Sequence, residues 1–153
     1  MAEAAVPTPP GVVPYLTIAG ASDAIEFYKK AFGATELSRM PGPDGKLMHA
    51  ALAVNGGVIF LSDDFPEMND GKGGSPKALG GSAVTIHLTL SDVDAAWAQA
   101  VAAGAEVVMP LETQFWGDRY DQLRDPFGHS WSLSQPGAAL SPEEIEKAMQ
   151  AQR

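Results

Sequence analysis

Hydrophobic and polar positions alternate in short runs along the chain, and each run predicts an element. Residues 12–18 (VVPYLTI) form an apolar, β-rich run whose proline stands early, where a strand tolerates it. After a turn at Gly20 and Ser22, Ile25, Tyr28 and Phe32 recur at i, i+3 and i+7, one apolar helical stripe that Gly33 stops. Asp23, with Glu26 three residues on, reads as the start of that helix through a capping box. Strands are predicted at 35–39, 47–54 and 58–62, parted by PGPDG and NGG, both strong hairpin signals. The order is β-α-β-β-β.

Residues 63–81 break the pattern with five glycines, two prolines and few large apolar side chains, which predicts a linker or mobile loop. Beyond them the order restarts. Residues 84–90 alternate as a strand, Asp92 can cap a helix carrying Val93, Trp97 and Val101, and Gly104 ends it. Strands are predicted at 106–109, at 113–116 with an extension toward 123, and at 130–134, with Asp125-Pro126-Phe127-Gly128 as the last turn. The helix exits KKAFGATEL and QAVAAGAEV match at the spacing from Gly33 to Gly104, about half the chain. An internal duplication follows: an α+β fold of two βαβββ repeats whose sheets curl around an open, barrel-like cleft. The predicted organisation is an arm at 1–11, one domain at 12–136 (repeats 12–62 and 83–136, linker 63–82) and a C-terminal helix within 137–153. That helix starts at Ser141-Pro142-Glu143-Glu144, a capping box with proline at its first position, and Leu140 and Ile145 stand at staple positions. Its narrow stripe of Ile145 and Met149 suits packing on the surface or on a partner subunit.

Composition narrows the chemistry. At 153 residues and 45% hydrophobic, the chain can bury a core without staples. The absence of cysteine excludes disulfides, thiolate metal sites and a cysteine nucleophile. Ten basic against nineteen acidic residues give a charge of −9, which opposes nucleic acid and anionic membranes and favours a cationic small molecule. No uncharged apolar run is long enough to span a bilayer, and MAEAAVPTPP lacks the basic and apolar regions of a leader, so the expectation is a cytoplasmic protein without a membrane partner. No phosphate-loop, dinucleotide, GxSxG or HExxH motif occurs.

Four stretches, VVPYLTIAGASDAIEFYKKAFGA, HAALAVNGGVIFLSD, LSDVDAAWAQAVAAGAEVV and FWGDRYDQLRDPFGHSWSLSQP, together resemble the vicinal oxygen chelate superfamily, which includes glyoxalase I, extradiol dioxygenases and bleomycin-resistance proteins. The similarity runs from about Val12 to Gln135 and is greatest to the PhnB-like branch. It implies paired βαβββ units, a cleft and a homodimer. Catalytic members hold a divalent metal with His or Gln on the first strand, Glu on the fourth, His on the fifth and Glu on the eighth. Counting from the helix-end and turn glycines places those positions at Val13, Phe60, Thr85 and Ser132; a slip of two residues would substitute Tyr15 and His87. Valine and phenylalanine offer no lone pair and neutral hydroxyls are poor ligands, so no metal and no cofactor are expected.

The candidate ligand-binding residues are Tyr15, Phe60, Thr85, His87, Trp116, Arg119, Tyr120 and Ser132. His87 is a polar group two residues from Thr85 on one strand face, able to bind ligand or act as a base. Phe115–Tyr120 concentrates Trp, Arg and Tyr, which clasp flat or charged molecules by stacking and forked hydrogen bonds. Strand alternation would set Trp116 and Tyr120 on one face and Arg119 on the other, where an ion pair with an aspartate is the plainer role. His49 reads as a surface residue, His129 as part of the turn, and Asp63, Asp64, Glu67 and Asp70 as a solvated acidic loop. Ile25, Tyr28, Phe32, Trp97 and Val101 are expected core. The functional expectation is a protein that sequesters a cationic or aromatic small organic ligand without metal. The alternative is an enzyme on a small organic substrate, either with histidines recruited to a metal or with His87 or Tyr15 moving protons.

Overall fold

The computed structural model describes residues 8, 9 and 11–153; most of the predicted arm therefore lies outside the described residues. The chain divides into two compact units, one ending at Ser82 and the other beginning at Ala83.

In the first unit, β1 (Tyr15–Ile18), α1 (Ala21–Phe32), β2 (Thr35–Pro41), β3 (Leu47–Val54) and β4 (Gly57–Asp63) follow one another. The strands form a sheet in the order β1-β4-β3-β2, with β1 parallel to β4 and the other pairs antiparallel. Alternation decides the two faces. Leu16, Ile18, Ile59 and Leu61 are buried on the side where α1 packs, which supplies Ala24, Ile25 and Tyr28; Phe32, expected in the core, is only half-buried. Tyr15 and Phe60 occupy the opposite face. β1 begins at Tyr15 rather than at Val12, which is almost fully exposed.

The start of α1 corrects the expected Asp23 cap. The helix opens at Ala21 after Gly20, whose φ of 103° lies in the left-handed region that favours glycine. Its free N–H groups are received by a distant carboxylate: Gly20 N–H and Ala21 N–H donate to Asp63 Oδ1 at 3.2 and 3.0 Å, while Leu47 N–H donates to Asp63 Oδ2 at 2.7 Å. Asp63 is buried, not part of a solvated loop. The segment after it is ordered as well. Asp64 accepts the N–H groups of Gly74 and Ser75 at 3.0 and 2.9 Å, and the segment contains a 3₁₀ turn at Pro66–Met68 and the short helix α2 (Pro76–Leu79), which Ser75 caps. Only Glu67 and Asp70 of the predicted acidic cluster are exposed.

The second unit repeats the plan with β5 (Thr85–Thr89), α3 (Val93–Ala103), β6 (Glu106–Thr113), β7 (Arg119–Arg124) and β8 (Ser130–Gln135), in the sheet order β5-β8-β7-β6. The fold is thus α+β with two four-stranded mixed sheets. Asp92 caps α3 by accepting Ala95 N–H, and Gln135 Oε1 accepts Val93 N–H at 3.0 Å. Gln135 ends β8 as Asp63 ends β4, so each sheet's final residue holds the first turn of its helix. Trp131 and Leu133 are fully buried on the helix side, whereas Trp97 and Val101 are half-buried. Asp125 accounts for the DPFG turn: Oδ1 accepts Phe127 N–H and His129 N–H at 2.9 and 3.0 Å, and Oδ2 accepts Trp131 Nε1–H at 2.9 Å.

The strand predicted at 113–116 is mostly a turn, while its extension toward 123 falls in β7. β6 runs on through Pro110 to Thr113, and Gly117 N–H donates to the Gln114 carbonyl at 3.0 Å to close residues 114–117. Pro110 stands inside β6, an edge strand, where a missing N–H is tolerated. The C-terminal helix α4 (Pro142–Gln150) carries the predicted capping box between Ser141 and Glu144, and none of its residues is fully buried. No helix of the described residues is long and apolar enough to cross a membrane.

Candidate functional site

Strand register fixes which side chains stand together. In the first unit the parallel β1–β4 pair sets Tyr15 beside Phe60; in the second, the parallel β5–β8 pair sets His87 beside Ser132. The two pairs are related by one shift along the chain, so they are the equivalent positions of the duplication. Val13 precedes β1 and Thr85 pairs with Ser130, so the register partners of Phe60 and Ser132 are Tyr15 and His87, the pair that a slip of two residues gives.

At the four positions the donor set is a phenol, a benzyl group, an imidazole and a buried hydroxyl. Phe60 can donate nothing, and Ser132 is a neutral oxygen already bonded to His87. Among the described residues no group of three His, Cys, Asp or Glu side chains could hold a metal ion. These residues do not fit the divalent metal that the fold's catalytic relatives carry.

In the second unit, His87 lies on the exposed face of β5 with both nitrogens engaged. Nδ1 is 2.7 Å from Ser132 Oγ and Nε2 is 3.0 Å from Ser134 Oγ, so one ring N–H donates and the other nitrogen accepts. Both serines are buried beneath the ring. With its nitrogens occupied, the imidazole offers carbon and π surface outward. Tyr120 stacks near it, centroids 6.2 Å apart and planes 28° apart, and Trp116 packs edge-on against Tyr120 at 5.6 Å. Gln122 Nε2 donates to the Tyr120 hydroxyl at 3.3 Å. Trp116 belongs to the β6–β7 turn rather than to a strand, and the turn folds it back over Tyr120. Thr85 is exposed at the start of β5. Arg119 stands apart from this cluster: its fork is spent on Asp94 of α3, Nη2 to Oδ1 at 2.7 Å and Nε to Oδ2 at 3.1 Å.

The first unit has its own cluster, which the sequence reading gave only in part. Tyr15 Oη is 2.8 Å from His49 Nδ1, and Phe60 packs edge-on against both rings, at 5.6 Å from Tyr15 and 4.8 Å from His49. His49 is half-buried, not a surface residue. Its face could not be read from LMHAALAV, because alanines at 50, 51 and 53 suit either side; pairing of Ala51 with Phe60 settles it. Beside this cluster lies a pocket of about 240 Å³, with Leu37, Val58 and Phe60 among its apolar walls and Thr8, Ser38 and His49 as its polar groups. A second hollow of about 370 Å³ at the β2–β3 connection is lined by Met48, Met68, Phe65 and Lys46 among others; the Lys46 ammonium sits 5.0 Å over the Phe65 ring and donates to the Asp64 carbonyl.

The sequence profile of the Glyoxalase/Bleomycin resistance protein/Dioxygenase superfamily matches residues 15–133, from the first strand into the last. The chain belongs to that superfamily. Rv0887c of Mycobacterium tuberculosis, an uncharacterized protein, is 53% identical over 148 residues, which cover 97% of this chain and 87% of that protein. Among solved structures, TioX from Micromonospora sp. ML1 is similar at 27% identity with a TM-score of 0.63, covering 86% of this chain and 99% of TioX. A PhnB protein from Bacillus cereus shares the superfamily fold at 18% identity and a TM-score of 0.60, covering 81% of this chain and 98% of its own.

Proposed function

We propose that this member of the superfamily binds a flat small organic molecule and holds it without converting it, using aromatic stacking and a few hydrogen bonds and no metal at the four family positions. The observation that carries the reading is the exposed imidazole of His87, whose two nitrogens are satisfied by serines and which is flanked by Tyr120 and Trp116. A catalytic base needs a free lone pair aimed at substrate; a stacking platform needs an ordered ring, and the two serines supply the order. Superfamily membership supports a cleft-type site but does not name a ligand. A homodimer in the cytoplasm completes the proposal, and light scattering on the purified protein tests the dimer.

Ligand titration followed by tryptophan fluorescence tests the binding reading. Saturation at a fixed stoichiometry, with the ligand recovered intact, is the expected result. Trp116→Ala should weaken binding about five- to ten-fold, the worth of one aromatic contact. Release of a product in proportion to time would instead establish an enzyme. The observation favouring that second reading is the 2.8 Å Tyr15–His49 contact, a pair able to pass a proton between phenol and imidazole.

A further inference from the structure

We infer that the pocket on the first unit's sheet takes a neutral, flat aromatic molecule that carries a hydrogen-bond acceptor, and that His49 receives that acceptor. This assignment rests on the small-molecule-binding reading above and specifies the ligand chemistry. Three observations lead to it. The first is charge. Despite the chain's −9, none of the described side chains lining the pocket is charged; the polar groups among them are the Thr8 and Ser38 hydroxyls and the His49 imidazole. A cation entering it would lose hydration and find no carboxylate among the described lining residues, at a cost far above that of a neutral ring. The protein's overall field can steer a cation to the surface without stabilising it here.

The second observation is size and wall. A volume of about 240 Å³ is below the usual drug-sized range, and cavities of about 150 Å³ accept benzene, so two fused rings fill this one. Leu37, Val58 and Phe60 provide the apolar contact.

The third is the histidine's free nitrogen. Tyr15 holds Nδ1 at 2.8 Å and His49 lines the pocket, so Nε2 is the ring nitrogen left for a ligand. A phenol is a stronger donor than acceptor and a neutral imidazole nitrogen is a strong acceptor, so the Tyr15 hydroxyl donates to Nδ1. The ring proton then resides on Nε2, which becomes the donor offered to a ligand. Tyr15 acts here as a positioning residue that sets the tautomer.

Three probes of nearly one shape separate these claims: naphthalene without an acceptor, quinoline with a ring-nitrogen acceptor, and N-methylquinolinium with a fixed charge. Binding is read at pH 8 from amide chemical shifts of the full chain, in about 0.3 M salt to screen the overall field. Quinoline should bind about three- to ten-fold more tightly than naphthalene, the worth of one hydrogen bond, and N-methylquinolinium at least about ten-fold more weakly than quinoline. Shifts should centre on Leu37, Ser38, Ala51 and Val58. His49→Phe should equalise quinoline and naphthalene while naphthalene still binds, which shows that the pocket persists. Tyr15→Phe should narrow the quinoline preference without abolishing it. Tighter binding of the cation, equal binding of quinoline and naphthalene to the unaltered protein, or no shift around the pocket would overturn the inference. If shifts appear only around Trp116–Tyr120, the pocket assignment fails while the binding reading stands. If none of the probes binds anywhere, both fail.

Discussion

Asp63 and Asp121 are two buried carboxylates in opposite situations, and each makes a prediction. Asp63 receives three backbone N–H groups, two from the start of α1 and one from β3. Removing it leaves three donors, two of them buried, without this partner, so Asp63→Ala should cost about 3 kcal/mol in urea unfolding, while Asp23→Ala at the position first expected to cap should cost well under 1 kcal/mol. Asp121 is fully buried and accepts only Leu133 N–H, leaving Oδ2 without a partner. Burial raises its pKa from 3.8 to about 6, against a smaller lowering by that hydrogen bond. The folded protein therefore holds this proton more tightly than the unfolded chain. The sign follows: this group's contribution is most favourable below about pH 4 and is lost as pH rises through 6, at a cost of about 3 kcal/mol by pH 8. Asp121→Asn should flatten that dependence between pH 4 and 8 in urea melts. An unchanged slope would assign the proton elsewhere.

At the scale of elements, the pattern of the chain located the helices and most strands but not their ends. The α1 start was misread because Asp23 and Glu26 satisfy a local rule, while the actual partner is remote in sequence and is brought close only when β4 pairs beside β1. The predicted strand at 113–116 falls on the end of β6 and the turn after it, because β6 continues through Pro110 along the sheet edge to Thr113. The turn that replaced it determines where Trp116 lies. Gly117 has a φ of +102°, and the backbones of Gly117 and Gly137 approach so closely that no β-carbon fits between them; Gly137 N–H also donates to Asp118 Oδ1 at 3.0 Å. Gly137→Ala should push the turn away from the chain after β8, destabilise the protein by more than about 2 kcal/mol and change the Trp116 environment in fluorescence. A stable variant with unaltered emission would show that the turn is not held from this side.

For the whole molecule, the duplication was legible because it is written as element order and as the paired Gly-Ala helix exits, and both units share one strand order. The sequence left two assignments of the family's ligand positions, two residues apart on the first and fifth strands. The register-paired residues Tyr15, Phe60, His87 and Ser132 form a donor set which predicts that protein purified without chelator or affinity tag carries divalent metal only at trace level by elemental analysis. Near-stoichiometric Zn, Ni, Mn or Fe would contradict the metal-free reading and direct attention to the histidines.

By itself the sequence determined the α+β class, the repeat, the missing cysteine chemistry and the family, because these depend on periodicity, composition and local motifs that need no third dimension. Tertiary structure decided the rest. It placed His49 beside Phe60, turned both His87 nitrogens onto serines, spent Arg119 on Asp94, and converted two carboxylates of an apparent acidic loop into anchors for backbone N–H groups. Apart from the Asp64 contacts within the loop, each of these rests on side chains that strand pairing brings together. A shift of one residue would turn every side chain to the opposite face, so a pattern that marks the strand does not say which partner it meets.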